Sequence, residues 1–341
     1  MGCSGVRAAA VQVEFADVGG TLFFGAGLWK SDGTDSGTVR VTSEEFEQIV
    51  FPNPSTFTAV GDTLFFTTFY DGSLWTSDGT AAGTVPLRPE LLYGADSLTA
   101  VDGTLFFTAN NPTANNPRGL WKSDGTEAGT VLVKDVWQRR SGYYSPEYGP
   151  ESLTSVNGTL FFTANDGTTG RELWKSDGTT DGTVLVKDIN PGLGGSNPTA
   201  LTNVDGRLVF QACEQQSGCE VWASDGTTAG TRLLADIEPG AASSSPSGFT
   251  RSGSLLYFSA QDLLEGRELR AVPLSALPFS TCVGDCDGKG SVTVDELLTM
   301  VNIALGNAQG PACPHGVPSG AAVNVALIIQ AVNTALNGCG A

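Results

Sequence analysis

The sequence predicts an all-β chain, a β-propeller of about six four-stranded blades, followed by a small α-helical module at the C-terminus. Three observations predict it. The segment "LWKSDGT" at 28–34 returns as "LWTSDGT" at 74–80, "LWKSDGT" at 120–126 and 173–179, and "VWASDGT" at 221–227. Each copy sits among short apolar stretches that alternate or run, with no recurrence every three to four residues. From residue 282 onward that pattern stops, and two stretches with helical spacing follow.

The repeat fixes the order of the β elements. Its tryptophans are Trp29, Trp75, Trp121, Trp174 and Trp222, which follow one another at a near-constant interval, longest between Trp121 and Trp174. A sixth unit at 266–270, "GRELR", puts Arg270 in the tryptophan position. Upstream of each lies one strand: "GTLFF" at 20–24, "DTLFF" at 62–66, "GTLFF" at 103–107 and 158–162, "GRLVF" at 206–210 and "SLLYF" at 254–258. Downstream comes another, as in "GTVLVKD" at 129–135 and 182–188, and then a short segment such as "DSLTAVDG" or "ESLTSVNG". Four short strands in roughly 46–53 residues is the size of a propeller blade. The sixth unit lacks its "GTVLVKD" strand, so "RAAAVQVEF" at 7–15 is expected to complete it and close the ring.

Within each unit "SDGTxxGT" joins two strands. Glycine there takes a positive φ without cost, and the preceding aspartate bonds its own backbone two residues on. Asp32, Asp78, Asp124, Asp177 and Asp225 are therefore read as structural turn residues, and each tryptophan as packing between neighbouring blades. Five copies cannot all be one active site, and each loop alone offers too few carboxylates for calcium.

"RELWKSDGTTDGTVLVKDINPG" at 171–192 resembles the ELWxxDGT repeat family, and the resemblance covers roughly residues 15–272. It implies a fold rather than a chemistry. The turns are also similar to the aspartate-box hairpins of sialidase propellers, which are structural there. No arginine triad or tyrosine nucleophile of that chemistry can be placed.

Departures from the repeat are where function is sought. The longest connection, "KDVWQRRSGYYSPEYGP" at 134–150, carries Trp137, Arg139, Arg140, Tyr143, Tyr144 and Tyr148. Aromatics with arginine suit a platform for a sugar or a peptide, and equally a loop packed on its own blade. In the fifth unit Cys213 and Cys219 flank "EQQSG" and are placed to staple a loop.

After a linker at 274–281, residues 282–341 form a duplicated unit. "DELLTMVNIALG" (295–306) and "ALIIQAVNTALNG" (326–338) repeat with an offset of 31, which maps Leu298 on Ile329, Val301 on Val332 and Cys282 on Cys313. Ahead of the first, "DCDGKGSVTVDE" (285–296) reads as a twelve-residue calcium loop. Its ligands are Asp285, Asp287, Ser291, Thr293 and Glu296, and Lys289 stands where a fifth-position oxygen belongs, weakening the site. The second copy has Gly316, Pro318, Gly320 and Leu327 at positions 1, 3, 5 and 12, which bind no calcium. Cys282, Cys286, Cys313 and Cys339 allow three disulfide pairings.

This module resembles a type I dockerin, the family that binds cohesin modules and attaches its carriers to scaffolds. The resemblance implies calcium as the cofactor and a cohesin-like or cell-surface protein as partner. Where type I dockerins offer a Ser–Thr pair at loop positions 10 and 11, this chain has Val294–Asp295 and Val325–Ala326. A terminal cap or an intramolecular contact is the alternative role.

Composition bounds the functions. A net charge of −18 over 341 residues repels nucleic acid and anionic membranes and suits cations. No run is long enough to span a membrane as a helix. Seven cysteines, four of them crowded between Cys282 and Cys339, point to an oxidising, extracellular or cell-surface location. The start has no apolar core of a secretory signal, and Val6 breaks the myristoylation pattern after Gly2. An export signal is thus expected upstream of this sequence, or the compartment is another.

The one histidine, His315, lies in the tail, which removes a Ser–His–Asp triad and a histidine zinc site from the repeats. Glu172, Glu220 and Glu268 recur in register just before the tryptophan position, which favours structure over catalysis. The expected function is a secreted, non-catalytic propeller that binds a protein or glycan and carries a calcium-dependent tether. The alternatives are an extracellular carbohydrate-active enzyme, a glycoside hydrolase or polysaccharide lyase acting through a carboxylate pair, and a self-associating matrix protein.

Overall fold

In a computed structural model the described residues are 14–25, 27–42, 54–68, 72–88, 94–111, 116–136, 149–263, 265–277, 284–286, 292–307, 313 and 323–337. They form six antiparallel sheets, each a meander of consecutive strands, and two helices. The first sheet holds β1 (Phe15–Val18), β2 (Thr21–Phe24), β3 (Trp29–Ser31) and β4 (Val39–Arg40); the second holds β5 (Pro54–Val60), β6 (Thr63–Thr68), β7 (Leu74–Ser77) and β8 (Val85–Pro86). The third is β9 (Asp96–Val101), β10 (Thr104–Asn111), β11 (Asn116–Ser123) and β12 (Val131–Lys134); the fourth is β13 (Glu151–Val156), β14 (Thr159–Asn165), β15 (Arg171–Ser176) and β16 (Val184–Lys187). The fifth is β17 (Thr199–Val204), β18 (Arg207–Glu214), β19 (Gly218–Ser224) and β20 (Arg232–Ala235). The sixth has three strands among the described residues, β21 (Ser247–Ser252), β22 (Leu255–Asp262) and β23 (Gly266–Pro273). Residues 7–13 of the expected closing strand lie outside the described residues.

The segments after "GTVLVKD" belong to the next sheet. "DSLTAV" is β9, which pairs with β10, so each sheet begins one strand before the "GTLFF" stretch. The connecting turns explain the sequence. Asp102–Gly103, Asn157–Gly158 and Asp205–Gly206 each put two successive residues at positive φ, between 44° and 76°, which is the two-residue hairpin that Asp-Gly and Asn-Gly favour.

The chain divides into two compact units, residues 1–153 with 178–180, and residues 154–177 with 181–341. In the first, Trp75 packs with Val18, Phe23, Leu28 and Val41 around the first sheet, and Trp121 packs with Phe65, Leu74 and Leu87 around the second. In the second, Trp222 packs with Val156, Phe161, Leu173 and Val186 of the fourth sheet. The expected tryptophan packing between neighbouring sheets is thus observed. Three indoles also stack on the phenylalanine paired with them across the hairpin: Phe66–Trp75 at 6.2 Å, Phe107–Trp121 at 6.4 Å and Phe162–Trp174 at 6.4 Å. Such pairs add about 1 kcal/mol each beyond area burial.

Helix α1 (Val294–Ala304) starts at Thr293 in a capping box with Glu296, and α2 (Val325–Asn337) is its repeat. Their buried faces meet around Met300, Ala331 and the Cys286–Cys313 disulfide, with Leu297, Ile303, Leu327 and Ile328 packed alongside. Cys282 and Cys339, the other two cysteines of the module, lie outside the described residues. The stretch before the helices is docked: after a 3-10 turn at Leu274–Ala276, Leu277 is 1% exposed in the core shared by Val209, Val221 and Ala223 of the fifth sheet and Leu256 and Phe258 of the sixth.

Candidate functional site

The "SDGTxxGT" segments are closed hydrogen-bonded turns. In the third sheet, Asp124 Oδ1 accepts from the Thr126 amide at 2.9 Å and hydroxyl at 2.7 Å. The Gly129 amide donates to the Thr126 hydroxyl oxygen at 2.9 Å, and the Thr130 hydroxyl donates to the Thr126 carbonyl at 2.6 Å. The Ser123 and Thr130 hydroxyls lie 2.8 Å apart. Asp32, Asp78 and Asp225 repeat these bonds. At the Asp177 turn the Ser176–Thr183 hydroxyl pair recurs at 2.7 Å. The threonine hydroxyl, then its amide, hold the Asp32, Asp78 and Asp124 carboxyls below the usual carboxylate range. All five aspartates sit in the segments between the third and fourth strands of their sheets. The second glycine of the motif, whose role the sequence left unexplained, lies against the aspartate: a Cβ at Gly37, Gly83, Gly129, Gly182 or Gly230 would run into that carboxylate.

Glu172 and Glu220 are fully buried and act as loop clasps. Glu172, on β15, accepts from the amides of Ile189 (3.2 Å), Asn190 (3.3 Å) and Ser196 (2.7 Å) and from the Ser196 hydroxyl (2.5 Å). Glu220, on β19, accepts from the amides of Ile237 (3.1 Å) and Ser244 (2.7 Å) and from the Ser244 hydroxyl (2.5 Å). Burial pushes both carboxyls up, and the amide and hydroxyl donors oppose it. Neither is open to a substrate. Glu268, the third of the series, is exposed on β23. The sequence carried a signal for the clasp that the register of glutamates alone did not give. Ser196 follows Glu172 at the same interval as Ser244 follows Glu220, and the matching position after Glu268 is Val292.

Cys213 and Cys219 face each other across the β18–β19 hairpin and form a disulfide, as their spacing suggested. The aromatic connection holding Trp137, Arg139, Arg140, Tyr143, Tyr144 and Tyr148 lies outside the described residues.

Of the calcium-loop residues, Asp285, Thr293 and Glu296 are described; Asp287, Lys289 and Ser291 lie outside the described residues. Glu296 turns back on its own helix, accepting at Oε2 from the Thr293 amide (2.8 Å) and hydroxyl (2.7 Å). Asp285 is 4% exposed, and its charge acts on the Arg207 guanidinium. Burial lowers the Arg207 pKa, while Asp205 and Asp285 raise it. The loop's first and last carboxylates are thus both engaged by the protein itself. Among the described residues no three His, Cys, Asp or Glu side chains gather as a metal site.

The helical module presents an apolar stripe that its core does not use. Val294, Leu298 and Leu305 on or just after α1 are exposed, and so are Val325, Ile329 and Val332 on α2. Val294 and Leu298 map on Val325 and Ile329 by the offset of 31, so the same outward stripe occurs twice. Leu298 is 54% and Ile329 56% exposed. Among the described residues no helix is long and apolar enough to cross a membrane.

No family model matches the chain. No curated protein matches it either. Among solved structures it is similar to a prolyl endopeptidase, with a TM-score of 0.49 and 13% identity over 78% of this chain and 42% of that one. It is also similar to prolyl oligopeptidase B from Galerina marginata, with a TM-score of 0.48 and 10% identity over 79% of this chain and 43% of that one. A third is the acylaminoacyl peptidase of Pyrococcus horikoshii, with a TM-score of 0.37 and 12% identity over 72% and 37%. The chain spans about two fifths of the length of these proteins.

Proposed function

We propose that the six sheets are propeller blades of the ELWxxDGT type, and that the chain is a secreted, non-catalytic binding or scaffold protein tethered through its C-terminal module to a cohesin-like partner. The observation that carries the tether is the apolar stripe displayed twice, by Val294, Leu298 and Leu305 and by Val325, Ile329 and Val332. Contiguous exposed apolar side chains on a small module mark a protein-binding face. Calcium at Asp285, Asp287, Ser291, Thr293 and Glu296 is part of the same reading, weakened by Lys289. Two disulfides, Cys213–Cys219 and Cys286–Cys313, support an extracellular setting. The non-catalytic reading rests on the two glutamates that sheet register singled out, which are both consumed as clasps.

The test is calorimetric titration of the full chain with a type I cohesin module in calcium. Binding is expected for the wild type. It should survive Leu298→Asp or Ile329→Asp alone, because the other stripe remains, and be lost in the double variant. No binding by the wild type, or binding that the double variant leaves intact, would reject the proposal.

A further inference from the structure

Two of the sheets send a cation to the aspartate turn of the sheet that follows. Arg88 donates to the Thr130 carbonyl at 2.9 Å, and Lys187 donates to the Thr231 carbonyl at 2.7 Å. The sixth unit has no such turn in its sequence. There Arg232, of the fifth sheet, donates to the Ala276 carbonyl at 3.1 Å, in the 3-10 turn Leu274–Ala276.

The same segment takes the place of a tryptophan. Between the fourth and fifth sheets Trp222 packs with Phe161, Leu173, Leu208 and Phe210. One repeat later the matching positions, Val209, Val221, Leu256 and Phe258, pack with Leu277, which is 1% exposed. The residue in the tryptophan register is Arg270, opposite Phe258 as Trp222 is opposite Phe210. Its side chain is 35% exposed, and its guanidinium is drawn to Asp262 and Glu265. A guanidinium is costly in an apolar slot, and Leu277 fills the space that the charge leaves.

The ties of this segment to the sheets are local. They are the Leu277 side chain, the Leu274 amide on the Ser254 carbonyl at 2.9 Å and the Arg232 bond. Such ties can break without unfolding of the strands beneath them.

We propose that Leu274–Leu277 is a detachable strap. Seated in the slot that an indole fills one interface earlier, it locks the sixth sheet on the fifth. Drawn out with the C-terminal module that continues from it, it loosens the sixth sheet. The module is thus joined to the repeats through a core contact rather than a free linker, and its displacement is felt in the last interface. This rests on the fifth and sixth sheets alone, whatever partner the module takes.

The experiment is hydrogen exchange on the full chain with its disulfides intact, read at the Leu274 and Leu277 amides and at Leu256 and Phe258 of the sixth sheet. The strap amides should exchange at least about tenfold faster than the strand amides, because the strap opens by itself. Leu277→Ala should speed exchange at Leu274 by about thirtyfold. Arg270→Trp returns the indole to the slot and should free the strap to a similar extent, after which Leu277→Ala should add nothing. Strap and strand amides that exchange together overturn detachment. Additive effects of Arg270→Trp and Leu277→Ala, or no effect of Leu277→Ala at Leu274, overturn the shared slot. Should Arg270→Trp fail to fold, the response of Leu274 to Leu277→Ala decides alone.

Discussion

Ser196 gives Glu172 two hydrogen bonds, one from its amide at 2.7 Å and one from its hydroxyl at 2.5 Å, and one repeat later Ser244 does the same for Glu220. The pair fastens the connection that leaves the fourth sheet to the third strand of that sheet. Replacing Glu172 by Gln sets an NH2 group against amide donors that have no other acceptor in this clasp. The expected loss is about 3 kcal/mol in urea unfolding. Glu268→Gln, at the exposed third position, should stay within about 0.5 kcal/mol of wild type. Equal effects at the two sites would refute the clasp.

The two carboxylate sets should respond to pH in opposite senses. The Asp32, Asp78 and Asp124 carboxyls are lowered in the folded chain, so their contribution is present above the ordinary value of 3.8 and is lost as pH falls through their folded pKa. The Glu220 carboxyl is raised from its ordinary 4.5, so its contribution is full below that value and is lost as pH rises through its folded pKa. The stability deficit of Asp124→Asn should therefore shrink in acid, while that of Glu220→Gln should grow. Urea midpoints at neutral and acid pH decide it.

A methyl group should be costly at Gly129, where it meets the Asp124 carboxylate, although the backbone there needs no positive φ. Gly129→Ala is expected to cost about 2 kcal/mol by thermal melting. Gly103→Ala, which meets nothing within 4 Å but sits at a φ of 76°, should cost about 1 kcal/mol. If Gly129→Ala were the milder change, the aspartate contact would not explain the second glycine.

Cys213 and Cys219 close a short loop, six residues apart in sequence, on a hairpin whose register they share. Cys213→Ser with Cys219→Ser should lower stability by about 2 kcal/mol and leave the remaining sheets' circular-dichroism signal intact. A larger loss would mean that the bridge supports more than its hairpin.

Much of this fold was legible because it is repeated. Five tryptophans in register and the aspartate turns each follow from local chemistry, and repetition separates signal from accident. The helices were readable for the same reason, through Leu298 on Ile329. What stayed hidden depends on contacts distant in sequence. Glu172 and Ser196 lie on either side of a whole connection, and nothing local says that they meet. The stripe of Val294, Leu298 and Leu305 has the spacing of a core face, and only the burial of Met300 and Ala331 on the other side shows which face is turned outward.

The hydrogen bonds that close each aspartate turn span at most seven residues, from Ser123 to Thr130 in the third sheet. A chain leaving the ribosome can therefore finish one such turn before the next has been synthesised. Each completed hairpin then offers its phenylalanine–tryptophan pair as a template for the strand still to come, so assembly can proceed from the N-terminus in steps, with few long-range searches to slow it.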